Sequence, residues 1–241
     1  MFIFTVEAFS VTASFRIPEN HTFQQTLPLP PVTTLTGLMG AALGLSFEKA
    51  MQFRKEKGIF FGVIGSSEGK MRDLWKYNKI KTSYKEDGSD RQDILIREFL
   101  TDFSLILAVG AEDEKVITEI RSGFLNPRYA LSAGNSDDLL KIRCITSVFK
   151  TEASQCSNFE NTILAGNQTL QYESPKDLLE NTAITYTIKA PQVFLLPVAF
   201  RFNGEERRVS ERKQFTFVGS PIKLKESIKA YNVNERMFAL L

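Results

Sequence analysis

The sequence predicts an α+β fold: an RRM-like or ferredoxin-like domain over residues 1–150 with a long inserted thumb, followed by a β-rich C-terminal section over residues 151–241. Three observations predict it. Apolar segments up to Lys150 follow the order β-α-β, insertion, β-α-β, which is the order of a split βαβ domain. The insertion, about residues 66–93, contains no long apolar run. After Thr151 the chain changes to short pieces rich in β-branched and aromatic residues, such as AITYTIKAPQVFLLPVAFRF.

The opening FIFTVEAFSVTASFR, Phe2 to Arg16, alternates in polarity and reads as a strand. Next comes LPLPPVTTLTGLMGAALGL, Leu27 to Leu45, where three prolines precede a helix carrying Gly37, Gly40 and Gly44. Glycine inside a helix costs about 1 kcal/mol relative to alanine, so this stripe calls for a compensating contact. At about 100° per residue the three glycines share one bare face, opposite Leu35, Leu38, Met39 and Ala42. Two explanations stand: the bare face packs tightly on a sheet, or a ligand or partner approaches it. Thr33 or Thr34 fits the N-cap, and the free N–H groups of the helix start suit an anion such as phosphate. The helix is expected to extend toward Arg54.

GIFFGVIG, Gly58 to Gly65, reads as a second strand, and ILIREFLTDFSLILAVG, Ile94 to Gly110, as two strands or one long bent one. EDEKVITEIRSGF, Glu112 to Phe124, is amphipathic with acids in its first turn, which favours a helix. IRCITSVFK, Ile142 to Lys150, closes the first section as a strand.

Composition limits the function. The chain has 241 residues and a net charge of only +2, so a nucleic-acid surface must come from local clustering. Cys144 and Cys156 lie too far apart for a C-x-x-C pair and read as reduced thiols. MFIFTVEAF lacks the basic start of a signal peptide, and the apolar run from Leu35 to Phe47 is too short to span a bilayer. A cytoplasmic protein with no membrane partner is expected.

The insertion supplies the clustering. KMRDLWKYNKIKTSYK, Lys70 to Lys85, holds Lys70, Arg72, Lys76, Lys79, Lys81 and Lys85 against one acid, Asp73. Trp75, the only tryptophan, is interleaved with Tyr77 and Tyr84. Basic side chains track phosphates and aromatic faces stack on unpaired bases, a combination suited to single-stranded RNA. The competing readings are a solvated hairpin whose aromatics cover the domain, or a basic surface for an acidic protein. A second basic run, RFNGEERRVSERKQF, is offset by Glu205, Glu206 and Glu211 and reads as a solvated hairpin around Asn203-Gly204.

Enzyme motifs mostly fail. GSSEGKM, Gly65 to Met71, falls short of a P-loop because Ile64 stands where glycine is needed and Met71 where a hydroxyl is needed. There is no G-x-S-x-G and no H-E-x-x-H, and no cofactor or metal is implied. The single histidine, His21, could pair with a tyrosine or lysine in metal-independent RNA cleavage, or simply be a surface residue.

Taken together, SFR in the first strand, LPPVTTLTGLMGAALGL, REFL at Arg97–Leu100, LNPRYALSAGNSDDL at Leu125–Leu139 and FTFVGSPI near the end resemble the CRISPR-associated Cas-five family. That family belongs to the RAMP superfamily, built on RRM-like domains. The resemblance implies a subunit of a Cascade-type, type I surveillance complex in antiviral defence. Such a subunit caps the backbone filament and grips the 5′ handle of the CRISPR RNA. Its implied partners are the handle, the backbone subunit, the large subunit and, through the assembled complex, target DNA near the PAM end. The insertion would be the family's thumb, and the glycine-striped helix would lie near RNA or a partner. One branch of the family cuts repeat RNA with a tyrosine and an adjacent lysine–histidine pair. This chain has no Lys-His dipeptide. A non-catalytic RNA-binding subunit is therefore expected, with His21 the candidate only if the chain is a nuclease. The expected RNA contacts are Arg16, Lys70, Arg72, Trp75, Lys76, Tyr77, Lys79, Lys81 and Arg97, with Thr33, Thr34, Arg128, Tyr129, Asn135 and Ser136 as weaker candidates.

Overall fold

The computed structural model describes residues 1–20, 23–78, 92–173, 188–204 and 206–241. Strand β1 (Phe2–Ala13) leads through the two-residue strands β2 (Phe15–Arg16), β3 (Phe23–Gln24) and β4 (Thr26–Leu27) to helices α1 (Val32–Leu43) and α2 (Phe47–Lys57). Strands β5 (Phe60–Ser66), β6 (Gly69–Asn78) and β7 (Gln92–Ala111) precede helix α3 (Glu114–Leu125), then β8 (Lys141–Ile145) and β9 (Phe149–Lys150). The rest comprises β10 (Ala153–Phe159), β11 (Thr162–Ala165), β12 (Tyr172–Glu173), β13 (Gln192–Asn203), β14 (Glu206–Val218), β15 (Ile222–Val233) and β16 (Arg236–Phe238).

The main sheet runs β13-β14-β11-β5-β7-β1-β8, antiparallel at every step. Alternation along its strands gives it two apolar faces. Phe4 and Val6 of β1, Phe61 and Val63 of β5, and Leu105 and Leu107 of β7 join the core beneath the helices, with Leu35 and Met39 of α1 and Ile120 and Phe124 of α3. The opposite face offers Ile3 and Ala108 to Tyr231, Val233 and Phe238 of the small sheet β10-β15-β12 and its edge strand β16. Gly62 permits that approach, because a Cβ there would lie 2.9 Å from the Phe238 Cβ. The section after residue 150 shares this sheet and core: Ile163, Phe215 and Phe217 pack in the same cluster as Phe4. No helix among the described residues is long and apolar enough to cross a membrane.

Three sequence expectations change here. The helix expected to reach Arg54 is broken: Gly44 turns left-handed at φ 75°, and Ser46 caps α2 by accepting from the Lys49 N–H. The glycine stripe faces neither a sheet nor an open surface alone. At Gly40 a Cβ would stand 2.8 Å from the Ala50 Cβ, so the missing side chain lets α2 close onto α1. The N-cap of α1 is Pro31, without a side-chain cap hydrogen bond, and Thr33 and Thr34 lie inside the first turn. Proline loses no hydrogen bond in this position.

The segment expected as one or two strands is a single strand of 20 residues, β7, with a positive φ of 49° at Asp102. Its inner half pairs with β1 and β5, and its outer half with β6. The registers Ser66↔Ser104 and Gly69↔Thr101 make β6 an outward continuation of β5 along the same partner. The thumb is thus an extension of the main sheet beyond the core.

Candidate nucleic-acid interface

The β6–β7 register sorts the thumb side chains onto two faces, because opposed residues of an antiparallel pair point the same way. One face carries the pairs Met71↔Phe99, Asp73↔Arg97, Trp75↔Leu95 and Tyr77↔Asp93. Leu95 is buried, whereas Trp75 remains 47% exposed. The Trp75 and Tyr77 rings are 6.0 Å apart, and the Arg97 guanidinium lies 5.6 Å from the Trp75 ring. Asp73 holds Arg97 from the side at 3.6 Å. Two neighbouring rings with a fixed cation form a platform on which an unpaired base can stack.

The other face carries Lys70, Arg72, Leu74 and Lys76 against Leu100, Glu98, Ile96 and Ile94. The Glu98 carboxylate is 4% exposed, with Lys70 at 3.4 Å and Arg72 at 3.5 Å. Arg72 also covers the Phe23 ring at 5.1 Å, where β3 adds in parallel to β7. Lys70 and Arg72 are therefore partly neutralised at the thumb's base, and Lys76 is exposed farther out. Lys79 and Lys81, and also His21, lie outside the described residues.

A second surface lies at the start of α1, where a cavity of about 540 Å³ is bounded by Arg16, Thr33, Thr34, Ser132, Pro197 and Arg207. Three of the expected contacts, Arg16, Thr33 and Thr34, are brought together here. The neighbouring loop is pinned to β1 by the buried Asp138, which accepts from Thr12 Oγ1 at 2.6 Å and Ser14 Oγ at 2.5 Å. Gly134 in that loop has φ 108°, and a Cβ would fall 1.8 Å from the Ser14 carbonyl oxygen, so only glycine fits. Asn135, half-buried, gives its carbonyl to the Asp138 N–H at 3.1 Å, and Ser136 is exposed beside it.

Arg128 and Tyr129 are set elsewhere. Their backbone N–H groups donate to the carbonyls of Ala42 and Ala41 at 3.1 and 3.2 Å, at the far end of α1. Both side chains are exposed on a separate depression shared with the end of α3 and with β8.

Sequence reasoning missed Arg207. Strands β13 and β14 do pair as the expected hairpin, with Asn203 opposite Glu206, but Arg207 is not simply solvated. Its guanidinium lies over Phe47 of α2 at 5.0 Å and Phe200 of β13 at 5.1 Å. A larger cavity of about 770 Å³ lies between α2, the hairpin and Leu241. There Arg54 donates from Nη2 to the Leu241 carbonyl at 3.1 Å, and burial pushes its pKa below the ordinary arginine value. No group of three or more His, Cys, Asp or Glu among the described residues could hold a metal ion.

No curated protein matches the chain significantly. A solved chain described as "CRISPR RNA-guided surveillance complex" matches with a TM-score of 0.55 at 16% identity, over 92% of this chain and 91% of that one. A CRISPR protein from Archaeoglobus fulgidus matches with a TM-score of 0.47 at 11% identity, over 99% of this chain and 98% of that one. The family described as "CRISPR-associated protein (Cas_Cas5)" matches residues 5–203, which include both helix-side walls of the groove and the whole described thumb. The chain belongs to this CRISPR-associated family.

Proposed function

We propose that the chain is a non-catalytic, cytoplasmic RNA-binding subunit of a Cascade-type CRISPR complex, gripping the 5′ handle of the CRISPR RNA and capping the filament of backbone subunits. The observation that carries this reading is the thumb platform: Trp75 and Tyr77 side by side, with Arg97 fixed against the Trp75 ring. An indole left as open as Trp75 costs solubility, whereas stacking on an unpaired base is worth about 1–3 kcal/mol. Lys76 and the lysines beyond it would follow the phosphates. The strand order β5-β7-β1-β8 with helices after the first and third strands supports the RRM-like reading of the first section. Membership of the family and likeness to a chain of an RNA-guided complex support the assembly partners: the backbone subunit, the large subunit and target DNA near the PAM end.

The test is co-expression with the other subunits and a repeat-containing RNA, followed by recovery of the complex and a denaturing gel run in chelator. Trp75→Ala combined with Lys76→Glu should lower handle RNA retention at least tenfold. Unchanged retention would overturn the assignment. A discrete cleavage product from the chain alone, lost in His21→Ala, would overturn its non-catalytic part.

A further inference from the structure

We propose that the groove between the start of α1 and the β13–β14 hairpin holds one splayed-out nucleotide, with Arg207 as its principal cationic contact. This rests on the RNA-binding reading above and extends it to a surface separate from the thumb. The cavity of about 540 Å³ lies within the usual range for small-ligand clefts. It offers both kinds of wall that a nucleotide needs. Leu38, Pro197 and Val209 give an apolar side for a base, and Arg16 and Arg207 give cations for its phosphate.

The charge balance is one-sided. No carboxylate among the described residues lines this groove. In the larger cavity, by contrast, Glu48 and Glu211 stand among Arg54, Lys55 and Lys213 and offset part of their charge. An anion is therefore favoured more in the first cavity than in the second.

Arg207 is also prepared for binding. The Phe47 and Phe200 rings meet edge to face at 5.6 Å, and the guanidinium packs over both. Its plane is set before a ligand arrives, so less side-chain freedom is lost on contact. Its neighbours on β14 are committed otherwise: Arg208 pairs with Glu206 at 3.0 Å, and Arg212 pairs with Glu19. Arg207 has no ion pair among the described residues, so it alone of the three is both held in place and uncompensated. An acidic segment of a protein partner is the competing occupant.

The experiment uses the assembled complex loaded with CRISPR RNA carrying 4-thiouridine at single handle positions. Irradiation and peptide mapping then locate each crosslink. One position should crosslink within residues 196–209 or 33–38, while others crosslink near Trp75. Arg207→Ala should abolish the groove crosslink and speed RNA dissociation about tenfold. Arg207→Lys, which keeps the charge but not the plane, should recover only part of that loss. Thumb crosslinks without any groove crosslink would overturn this inference and leave the RNA-binding reading standing. Loss of both, with RNA absent from the complex, would overturn the two together. A partner peptide crosslinked in the groove, with RNA retention indifferent to Arg207→Ala, would place a protein segment there instead. The wild-type map needs no substitution, so the inference can fail even if a variant does not fold.

Discussion

Gly40 stands so close to Ala50 that a Cβ on it would lie 2.8 Å from the alanine Cβ, whereas at Gly37 the nearest atom, on Phe47, would be 3.8 Å away. The two glycines of one helix should therefore respond oppositely to the same change. Gly37→Ala gains helix propensity without a clash and should stabilise the fold by up to about 1 kcal/mol. Gly40→Ala must push α2 off α1 and should cost about 1–3 kcal/mol. Thermal melts compare them directly, at about 2–4 °C per kcal/mol for a chain of this size.

Trp75 is the only tryptophan and is nearly half exposed, so its fluorescence reports directly on the thumb. Titration with single-stranded handle RNA should quench it, with an apparent affinity that falls steeply as salt rises. Arg97→Ala should weaken that binding several-fold, because it removes the cation beside the Trp75 ring. An Arg97→Ala titration that overlays the wild type would separate Arg97 from RNA contact.

Glu98 neutralises Lys70 and Arg72 at the base of the thumb. Glu98→Gln should release both cations, raising RNA affinity several-fold and steepening its salt dependence. Both cations are largely exposed, so the cost in stability should be about 1 kcal/mol or less. Parallel binding isotherms at two salt concentrations and a denaturant midpoint measure the two effects.

Asp138 ties the loop after Ser132 to Thr12 of β1 and to Ser14 just beyond it. Asp138→Ala should cost about 2–3 kcal/mol, since the buried Ser14 hydroxyl and the half-buried Thr12 hydroxyl lose a charged acceptor. Hydrogen exchange should speed up in residues 132–139 while the β7 amides stay protected. Uniform loss of protection across the sheet would show that the loop is not a local unit.

Much of the core was legible because its signals are local. Phe2 to Ala13 alternates strictly enough to show a strand, and Asp113 followed by Glu114 marks the start of α3, with Asp113 accepting from the Lys115 N–H. The break at Gly44 was harder, since apolar residues resume at Phe47 with near-helical spacing and hide the stop at Gly44 and the new cap at Ser46. The thumb's basic and aromatic residues stood out, but its pairing with Ile94–Thr101 depends on partners distant along the chain. Arg207 was illegible for the same reason. Its partner Phe47 sits on another element far away in the chain, and the mixed charges around it look like an ordinary wet hairpin.

Strand β7 has a mechanical consequence. It runs without interruption from the thumb's outer arm to Ala111 in the middle of the main sheet, with its angle set at Asp102. The thumb is therefore a cantilever with a clamped root, not an arm on a hinge. Force applied near Trp75 travels along one covalent backbone into the ladders with β1 and β5 and loads them in shear. Hydrogen bonds in that geometry must give way together, so a load on the tip is shared along both flanking ladders.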